Sequence, residues 1–285
     1  MNTKIPSSEL ILNPDGSVYH LHLLPQDLAP TVLLVGDPER VSQVSDHFDV
    51  VEIKKQKREF ITHTGRIGSD RISVISTGIG TDNIDIVLNE LDVLVNVNME
   101  TREVKSGKRD LNLIRIGTSG ALQSDIPVDS ILTSTHGLGL DHLLWYYDVE
   151  PDADVIELKN ELGLDFLKPY LFNASASLLA KFDARSIKGI TATCSGFYAP
   201  QGRFLRAGIR SKDLVGKLSQ LRIAGNRVTN FEMETAAILG LSKLFGFEAI
   251  AVNAIVANRI TQEFSSDPHK VIEETIKYTL DSLFA

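Results

Sequence analysis

The sequence predicts one α/β domain, with a mixed central β-sheet flanked by helices on both faces. Short apolar runs alternate along the chain with longer segments whose apolar residues lie three or four positions apart, and such alternation is typical of a sheet covered by helices. Hydrophobic residues make up 43% of the 285 residues, which is enough to bury a large core. No repeat or low-complexity linker divides the chain. We therefore expect a single domain over residues 1–285.

The elements follow in order from apolar runs and the turn residues that end them. Strands are predicted at 31–36, 49–54, 59–64, 71–76, 111–117, 128–135, 188–195 and 248–256, and helices at 38–47, 81–96, 156–168, 174–182, 211–221, 233–245 and 267–283. Pro38 suits the first turn of its helix, because the N–H that proline lacks would be unpaired there. The charged stretch 98–110 is expected to be a solvated loop. The aromatic stretch 137–156 is either a packing patch or a subunit contact.

Composition narrows the classes of protein that the chain can represent. Its net charge of −8 argues against nucleic acid or an anionic membrane as a partner. Cys194 is the only cysteine, which excludes an internal disulfide and fits a reducing compartment, and we interpret it as a packing residue. The N-terminal residues lack the apolar core of a signal peptide, and no run approaches the ~20 apolar residues that span a bilayer. We expect a cytoplasmic protein.

Two carboxylates bracket a methionine directly before an apolar helical run. Glu232, Met233 and Glu234 precede the run 236–241. Because removing a charge from water is costly, carboxylates placed here are expected to serve a ligand's hydroxyl groups. If this segment is extended, Glu232 and Glu234 project to the same side. The alternative is a helix N-terminal turn, where acids favour the helix dipole.

Two predicted buried strands end in segments that suit an anion. Gly36 and Arg40 follow the first strand, and Arg115 and Thr118 lie at the end of the fifth. Glycine lets backbone N–H groups approach an anion closely, and arginine offers paired donors. Neither segment is a P-loop or a dinucleotide fingerprint. For each one alone, an ordinary strand-to-loop turn is the alternative.

Eight segments in this order resemble the nucleoside phosphorylase-I family, and within it the uridine phosphorylases. They are VYHL at 18–21, GDPER at 36–40, REF at 58–60, STGIG at 76–80, RIGTSG at 115–120, FYAPQGR at 197–203, FEME at 231–234 and NR at 258–259. The resemblance covers nearly the whole chain. It implies reversible phosphorolysis of uridine, with deoxyuridine or thymidine as further substrates, to uracil and ribose 1-phosphate.

The resemblance also implies a co-substrate and an assembly. Inorganic phosphate is the co-substrate, and no cofactor is expected. A neighbouring subunit would complete the active site, so the protein would be at least a dimer and, by resemblance, a hexamer. Alternatives within the family are a purine nucleoside phosphorylase and a nucleosidase that uses water. An alternative of another class is a catalytically silent nucleoside-binding protein on the same fold.

For phosphate, the resemblance assigns Gly36, Arg40, Arg115 and Thr118, with Arg58 reaching in from a neighbouring subunit. Guanidinium groups match phosphate oxygens in geometry as well as in charge. Arginines 40 and 115 lie near the carboxyl ends of predicted buried strands, where α/β sheets bind ligands. Arg58 belongs to a basic run, Lys54-Lys55-Gln56-Lys57-Arg58, for which a solvated face is the competing interpretation.

For ribose, the resemblance assigns a glutamate, a methionine and a histidine. Glu234 would accept hydrogen bonds from the 2′- and 3′-hydroxyls, and Met233 would pack under the sugar. Glu232 would orient the loop and touch the ribose or base region. His20 of a neighbouring subunit would meet the 5′-hydroxyl. His22 could suggest a metal pair with His20, but nothing else in the chain supplies ligand spacing.

For the base, the resemblance assigns Gln201, Arg203, Phe197 and Arg259. The Gln201 amide offers a donor and an acceptor to N3–H and the adjacent carbonyl of uracil, and Arg203 would stabilise charge on the leaving base. Phe197 would stack on the ring, and Arg259 would support the pocket. We take Arg203, Gln201, Glu234 and Thr118 as the catalytic set. Family members usually have Pro-Gly-Gln-Glu-Arg where this chain has 199–203, so we expect that loop to follow a different path.

Some relatives hold a potassium ion at the dimer contact. The matching positions here are Glu59, Ile79 and Asn83. Asn83 replaces the usual serine, so a structural potassium ion is an expectation that this departure weakens.

Overall fold

The computed structural model of the protein describes residues 4–150 and 152–284. The strands within these ranges are β1 (Thr31–Val35), β2 (Val50–Lys57), β3 (Phe60–Ile67), β4 (Asp70–Ser76), β5 (Val97–Asn98), β6 (Glu103–Val104), β7 (Asn112–Ala121), β8 (Ile131–Leu140), β9 (Tyr170–Asn173), β10 (Ile187–Cys194), β11 (Arg222–Ile223), β12 (Asn226–Glu232), β13 (Glu248–Asn258) and β14 (Glu263–Phe264). The helices are α1 (Pro38–Ser45), α2 (Thr81–Asn96), α3 (Ala153–Leu162), α4 (Ala176–Leu179), α5 (Leu214–Gln220), α6 (Thr235–Phe245) and α7 (Pro268–Phe284). None of these helices combines the length and apolar character needed to cross a membrane.

Twelve strands form one mixed sheet, and this confirms the predicted fold class. The order is β11-β12-β10-β8-β13-β7-β1-β4-β3-β2, with β14 beside β13 and β9 beside β8. Strand β1 runs parallel to both β4 and β7. Strand β3 runs antiparallel to its two neighbours, β2 and β4. The parallel centre leaves the carboxyl ends of β1 and β7 side by side.

One half of the sheet closes on itself. Besides its parallel pairing with β10, β12 pairs antiparallel with β7 through Asn230 with Ala121 and Phe231 with Gly120. Strands β7, β13, β8, β10 and β12 therefore form a ring. The closure brings the carboxyl end of β12, which carries Glu232, next to the carboxyl end of β7.

Helices cover both faces, as the residues of β1 demonstrate. Val32 and Leu34 belong to the core that α2 and α6 cover, while Leu33 and Val35 belong to the core under α1 and α7. All four are buried, which explains why this strand is a continuous apolar run rather than an alternating one. A third core packs α3 and α5 against β8, β10 and β12.

All eight predicted strands and seven predicted helices are present, but several bounds differ. The helix predicted at 156–168 is α3, which ends before Gly163 in the left-handed conformation (φ 67°), a common helix terminator. The helix predicted at 174–182 is reduced to α4. Strand β12 was not predicted, because its buried Thr229 and Asn230 interrupt the apolar pattern.

Both the charged stretch 98–110 and the described part of the aromatic stretch 137–156 contain regular elements. Residues 97–104 form the β5–β6 hairpin rather than only a solvated loop. In the aromatic stretch, Trp145 packs on the core of α2 and α6, and its Nε1 donates to the Lys168 carbonyl over 2.6 Å. Tyr147 bonds to Asp85 and Asn89. Part of this stretch therefore packs within its own chain, and the subunit contact stays a prediction.

Candidate active site

A cleft of about 1000 Å³ opens at the carboxyl ends of β1, β7 and β12. In α/β sheets this edge is the usual ligand site. The cleft collects most of the residues assigned from the sequence: Gly36, Arg40, Arg115, Thr118, Phe197, Gln201, Arg203, Glu232, Met233, Glu234 and Arg259. Segments distant in sequence therefore converge on one cavity.

Arg115, Glu232 and Glu234 form a buried charged cluster at the base of the cleft. The Nη2 of Arg115 lies 3.1 Å from Glu232 Oε2 and also contacts Glu234 Oε2. Its Nη1 donates to Asn253 Oδ1 over 2.9 Å. Gly117 makes room for the guanidinium, because a Cβ atom there would lie 1.6 Å from Arg115 Nη1. Every member of the cluster is thus held by a specific partner.

The cluster contains one cation and two carboxylates, so it carries an excess of negative charge. Burial alone would lower the pKa of Arg115, but Glu232 and Glu234 raise it above the ordinary value. Burial raises the pKa of Glu234; Arg115 lowers it, and the negative charge of Glu232 raises it again, for a net increase. Both directions follow from two acids sharing one base. The arginine stays charged, and the carboxyl group of Glu234 takes up a proton more readily than an ordinary glutamate does.

Arg40 lies beside this cluster in the first turn of α1. Asp37 caps that helix by accepting the Glu39 N–H over 2.9 Å, and Arg40 Nη1 donates to the Ile116 carbonyl over 3.3 Å. Burial and the nearby charge of Arg115 lower the pKa of Arg40. An anion between the two arginines would relieve their repulsion, and Thr118 and the backbone at Gly36 line the same end of the cleft.

Glu234 is aimed by a second backbone donor. The N–H of Gly80 donates to its Oε1 over 2.7 Å, and Gly80 has φ 97°, a conformation that favours glycine. Met233 lines the cleft between the two glutamates. The carboxylate, the methionine and the STGIG segment thus meet at the centre of the cavity.

Gln201, Arg203, Phe197 and Arg259 form another part of the cleft wall. Arg203 lies over the Phe197 ring, 3.7 Å from its centroid, and its Nη1 donates to Gln201 Oε1 over 2.6 Å. Arg259 Nη1 donates to the Gln201 carbonyl over 3.1 Å. Burial, followed by the charge of Arg259, lowers the pKa of Arg203 to about 10. Despite the altered 199–203 segment, both polar side chains face the cleft.

Two assigned residues lie outside this chain's own cleft. Among the described residues, the lining does not include His20 or Arg58. His20 Nδ1 lies 2.7 Å from Glu90 Oε1, and Arg58 occupies the β2–β3 turn with φ 54°. His22 pairs with Asp15 instead of His20. Within residues 4–150 and 152–284, no three His, Cys, Asp or Glu side chains are grouped for a metal ion.

The three residues considered for potassium line the cleft. Asn83 Nδ2 points at the Ile79 carbonyl over 3.4 Å. The same nitrogen would lie 2.3 Å from a Cβ on Gly78. An amide donor therefore occupies the space beside the carbonyl oxygen that would have to bind the cation. A potassium ion at the dimer contact therefore stays a prediction.

Sequence reasoning missed several residues that shape the site. Ser119, Gly120, Phe231, Gln262 and Phe264 line the cleft without having been assigned. The partner of Arg115, Asn253, carried a signal that could have been used, because it is an amide inside the apolar run of β13. Cys194 lies in the third core, where burial raises the pKa of its thiol, and this agrees with a packing role.

Comparison with known proteins agrees with the geometry. The model of the phosphorylase superfamily matches residues 30–280. A uridine phosphorylase from Thermococcus kodakarensis is 33% identical over 281 residues, which cover 97% of this chain and 92% of the relative. A DeoD-type purine nucleoside phosphorylase from Listeria welshimeri is 28% identical, over 87% of this chain and 90% of its own.

A solved structure is similar over almost its whole length. This Trypanosoma brucei nucleoside phosphorylase, described as showing uridine phosphorylase activity, is 30% identical and superposes with a TM-score of 0.86 over 96% of this chain and 99% of its own. The resemblance found in the sequence motifs is thereby confirmed. This chain belongs to the phosphorylase superfamily.

Proposed function

We propose that this protein catalyses the reversible phosphorolysis of uridine to uracil and ribose 1-phosphate, with deoxyuridine and thymidine as further candidate substrates. The observation that carries the proposal is the convergence in one cleft of two buried arginines, a buried carboxylate pair and the Gln201–Arg203 wall. The same functional name belongs to the Thermococcus relative. Inorganic phosphate is the co-substrate, and no organic cofactor takes part.

Phosphate would bind at the end of the cleft formed by Arg40, Arg115 and Thr118. Two guanidinium groups offer paired donors to its oxygens. The N-terminus of α1 adds partial positive charge. A phosphate oxygen held there attacks C1′ of the ribose as the bond from C1′ to the base breaks. The bond-breaking electron pair goes to the base.

Ribose would lie at the centre, over Met233 and beside Glu234. Its 2′- and 3′-hydroxyls donate to the Glu234 carboxylate. As the bond to the base lengthens, positive charge develops on the sugar, and a nearby carboxylate and phosphate stabilise it more than they stabilise the neutral ground state. Glu234 thus both orients the sugar and favours the transition state.

Uracil would lie against the Gln201–Arg203 wall, with Phe197 stacked on its ring. Gln201 binds N3–H and the adjacent carbonyl, and Arg203 donates to the carbonyl oxygen on which negative charge collects. One well-aimed donor of this kind supplies roughly 3–4 kcal/mol to the transition state. To reach the base, Arg203 and Gln201 exchange their mutual hydrogen bond for bonds to uracil.

A pyrimidine fits this wall better than a purine. A purine leaves readily when an acid protonates it, but residues 254–259 at the end of β13 include no acid and place Arg259 in the cleft. The next acid along the chain, Glu263, lines the cleft, but it is exposed and accepts a hydrogen bond from Thr261 over 2.7 Å. The similarity to a purine phosphorylase makes inosine the necessary comparison substrate.

We further propose that a neighbouring copy completes the pocket. His20 and Arg58 would supply it with a 5′-hydroxyl contact and a third phosphate ligand, so the active unit is at least a dimer and, by resemblance, a hexamer. The cytoplasm remains the expected compartment. A structural potassium ion at the dimer contact also stays a proposal, and it has no role in the mechanism described above.

The decisive experiment is a phosphate-dependence assay on uridine, thymidine, inosine and adenosine with analysis of the sugar product. We expect cleavage of uridine only with phosphate, with ribose 1-phosphate as the product. Arg115→Ala should remove this activity, whereas Arg185→Ala, at an exposed surface ion pair, should not. Free ribose at equal rates without phosphate would identify a nucleosidase. Binding of uridine without any turnover would identify a silent binding protein.

A further inference from the structure

Thr193 on β10 contacts the charged cluster without lining the cleft. Its Oγ1 donates to Glu232 Oε1 over 2.7 Å and accepts the N–H of Ala236 over 2.8 Å. The side chain is completely buried, so this hydroxyl cannot exchange either partner for water. Losing it would leave both a buried amide and a buried carboxylate short of one partner.

Glu232 has no free capacity for a substrate. Its Oε1 accepts from Thr193 and from the Thr235 N–H over 3.1 Å. Its Oε2 accepts from the Glu234 N–H over 2.9 Å and lies 3.1 Å from Arg115 Nη2. A carboxylate offers about four acceptor positions, and protein donors use all of them. A direct bond to ribose would require one of these contacts to break.

The partners of Glu232 include groups that would bind each of the two substrates. It contacts Arg115, the side chain proposed to bind phosphate. Through the backbone N–H groups of Glu234 and Thr235 it fixes the start of α6 and therefore the direction of the Glu234 side chain. One carboxylate thus sets the position of two groups that would bind different substrates.

We propose that Thr193 is a positioning residue for this reaction, an inference that rests on the proposed function. By holding Glu232, it keeps Arg115 aligned for phosphate and Glu234 aligned for ribose, while neither Thr193 nor Glu232 touches a substrate. This replaces the expectation that Glu232 contacts the ribose or base. Because one hydroxyl supports both binding groups, its loss should weaken the binding of phosphate and of uridine together.

The test compares Thr193→Val, which keeps the shape but loses the hydroxyl, with Thr193→Ser, which keeps the hydroxyl. Thr133→Val is the matched control, because Thr133 is also fully buried and its hydroxyl donates only to Ser186, over 2.8 Å. We expect Thr193→Val to raise KM for phosphate and KM for uridine, each by about tenfold, the scale of a lost hydrogen bond to a charged group. Thr193→Ser should restore both values, and Thr133→Val should change neither.

Three results would overturn the proposal. They are an unchanged KM for phosphate in folded Thr193→Val, an unchanged KM for uridine in the same variant, or an equal rise of both values in Thr133→Val. If Thr193→Val does not fold, Glu232→Gln provides the same comparison, because a ribose contact would alter only the uridine KM.

Failure of the proposed function can be told apart from failure of this inference. If the wild type does not cleave uridine with phosphate, the proposed function fails. Calorimetric titration with inorganic phosphate still tests the contacts that lead from Thr193 through Glu232 to Arg115. Weaker phosphate binding in Thr193→Val than in Thr133→Val supports the positioning role, and equal binding overturns it.

Discussion

Arg115 on β7 and Glu234 at the start of α6 form a buried ion pair across 119 positions of sequence. The pair joins the proposed phosphate end of the cleft to the proposed ribose end. Without ligands, each charge neutralises the other, which avoids leaving an unpaired buried charge. With both substrates bound, phosphate would replace Glu234 as the partner of Arg115, and the sugar hydroxyls would replace Arg115 as the partner of Glu234.

Gly117→Ala should damage phosphate binding without altering the fold of β7. The backbone of Gly117 has ordinary negative φ, since it is not among the residues with positive φ, but a Cβ would overlap Arg115 Nη1. The guanidinium must therefore move. We expect KM for phosphate to rise at least about tenfold, since bonds to charged groups are lost. Gly107→Ala, which meets no atom within 4 Å, is the control, and an unchanged phosphate KM in Gly117→Ala would place Arg115 away from phosphate.

The pH profile should report the ionisation of Glu234. Its raised pKa lies above the ordinary value of 4.5, and only the ionised carboxylate accepts both sugar hydroxyls. The kcat/KM for uridine at saturating phosphate should therefore fall as pH drops through a value above 4.5. Glu232→Gln removes a neighbouring negative charge, so this acid limb should move to lower pH. A limb that stays in place or moves up would assign it to another group.

Arg203→Ala should lower kcat on uridine by roughly 10²–10³, the usual effect of losing one transition-state donor. Arg206→Ala, three residues along the same loop and exposed, is the matched control. The wild type should cleave uridine far faster than inosine. Efficient inosine cleavage, or an Arg203→Ala enzyme with unchanged kcat, would contradict a pyrimidine site.

Mixed subunits test whether a neighbour supplies Arg58. Arg58→Ala and Arg115→Ala subunits should each be inactive alone, because each lacks one phosphate ligand in every pocket. After subunit exchange, some pockets carry neither substitution, and part of the activity should return. Exchange can be verified with a labelled subunit. Absence of recovery after verified exchange would mean that Arg58 acts outside the active site.

The sequence predicted a site residue where a single short motif contains the reactive side chain. Arg115 and Glu234 could be assigned because each lies in a distinctive motif at the end of a predicted element. Thr193 could not, because a threonine inside a buried strand gives no sign of its partner. Pairing with β12 decides that partner, and β12 itself escaped prediction because Asn230 and Thr229 are buried through hydrogen bonds rather than through apolar contacts.

The ring closure between β7 and β12 lay beyond local sequence patterns for a different reason. It depends on two residue pairs that join Ala121 to Asn230 and Gly120 to Phe231. Neither segment is unusual alone, and only the curvature of the whole sheet brings them together. His20 and Arg58 show the corresponding limit between subunits, because one chain does not reveal whose cleft they serve.

That ring closure also has a consequence for how the protein folds. The N–H of Gly80 reaches Glu234 across 154 positions, and β7 must wait for β12 before the charged cluster exists. Closing such a long stretch of chain costs entropy before the contact can stabilise the fold, so contacts of this range slow folding. A nascent chain that has not yet released residues 226–234 from the ribosome therefore has the first arginines of the cleft but no counter-charges for them. The active site becomes possible only in the last stage of synthesis.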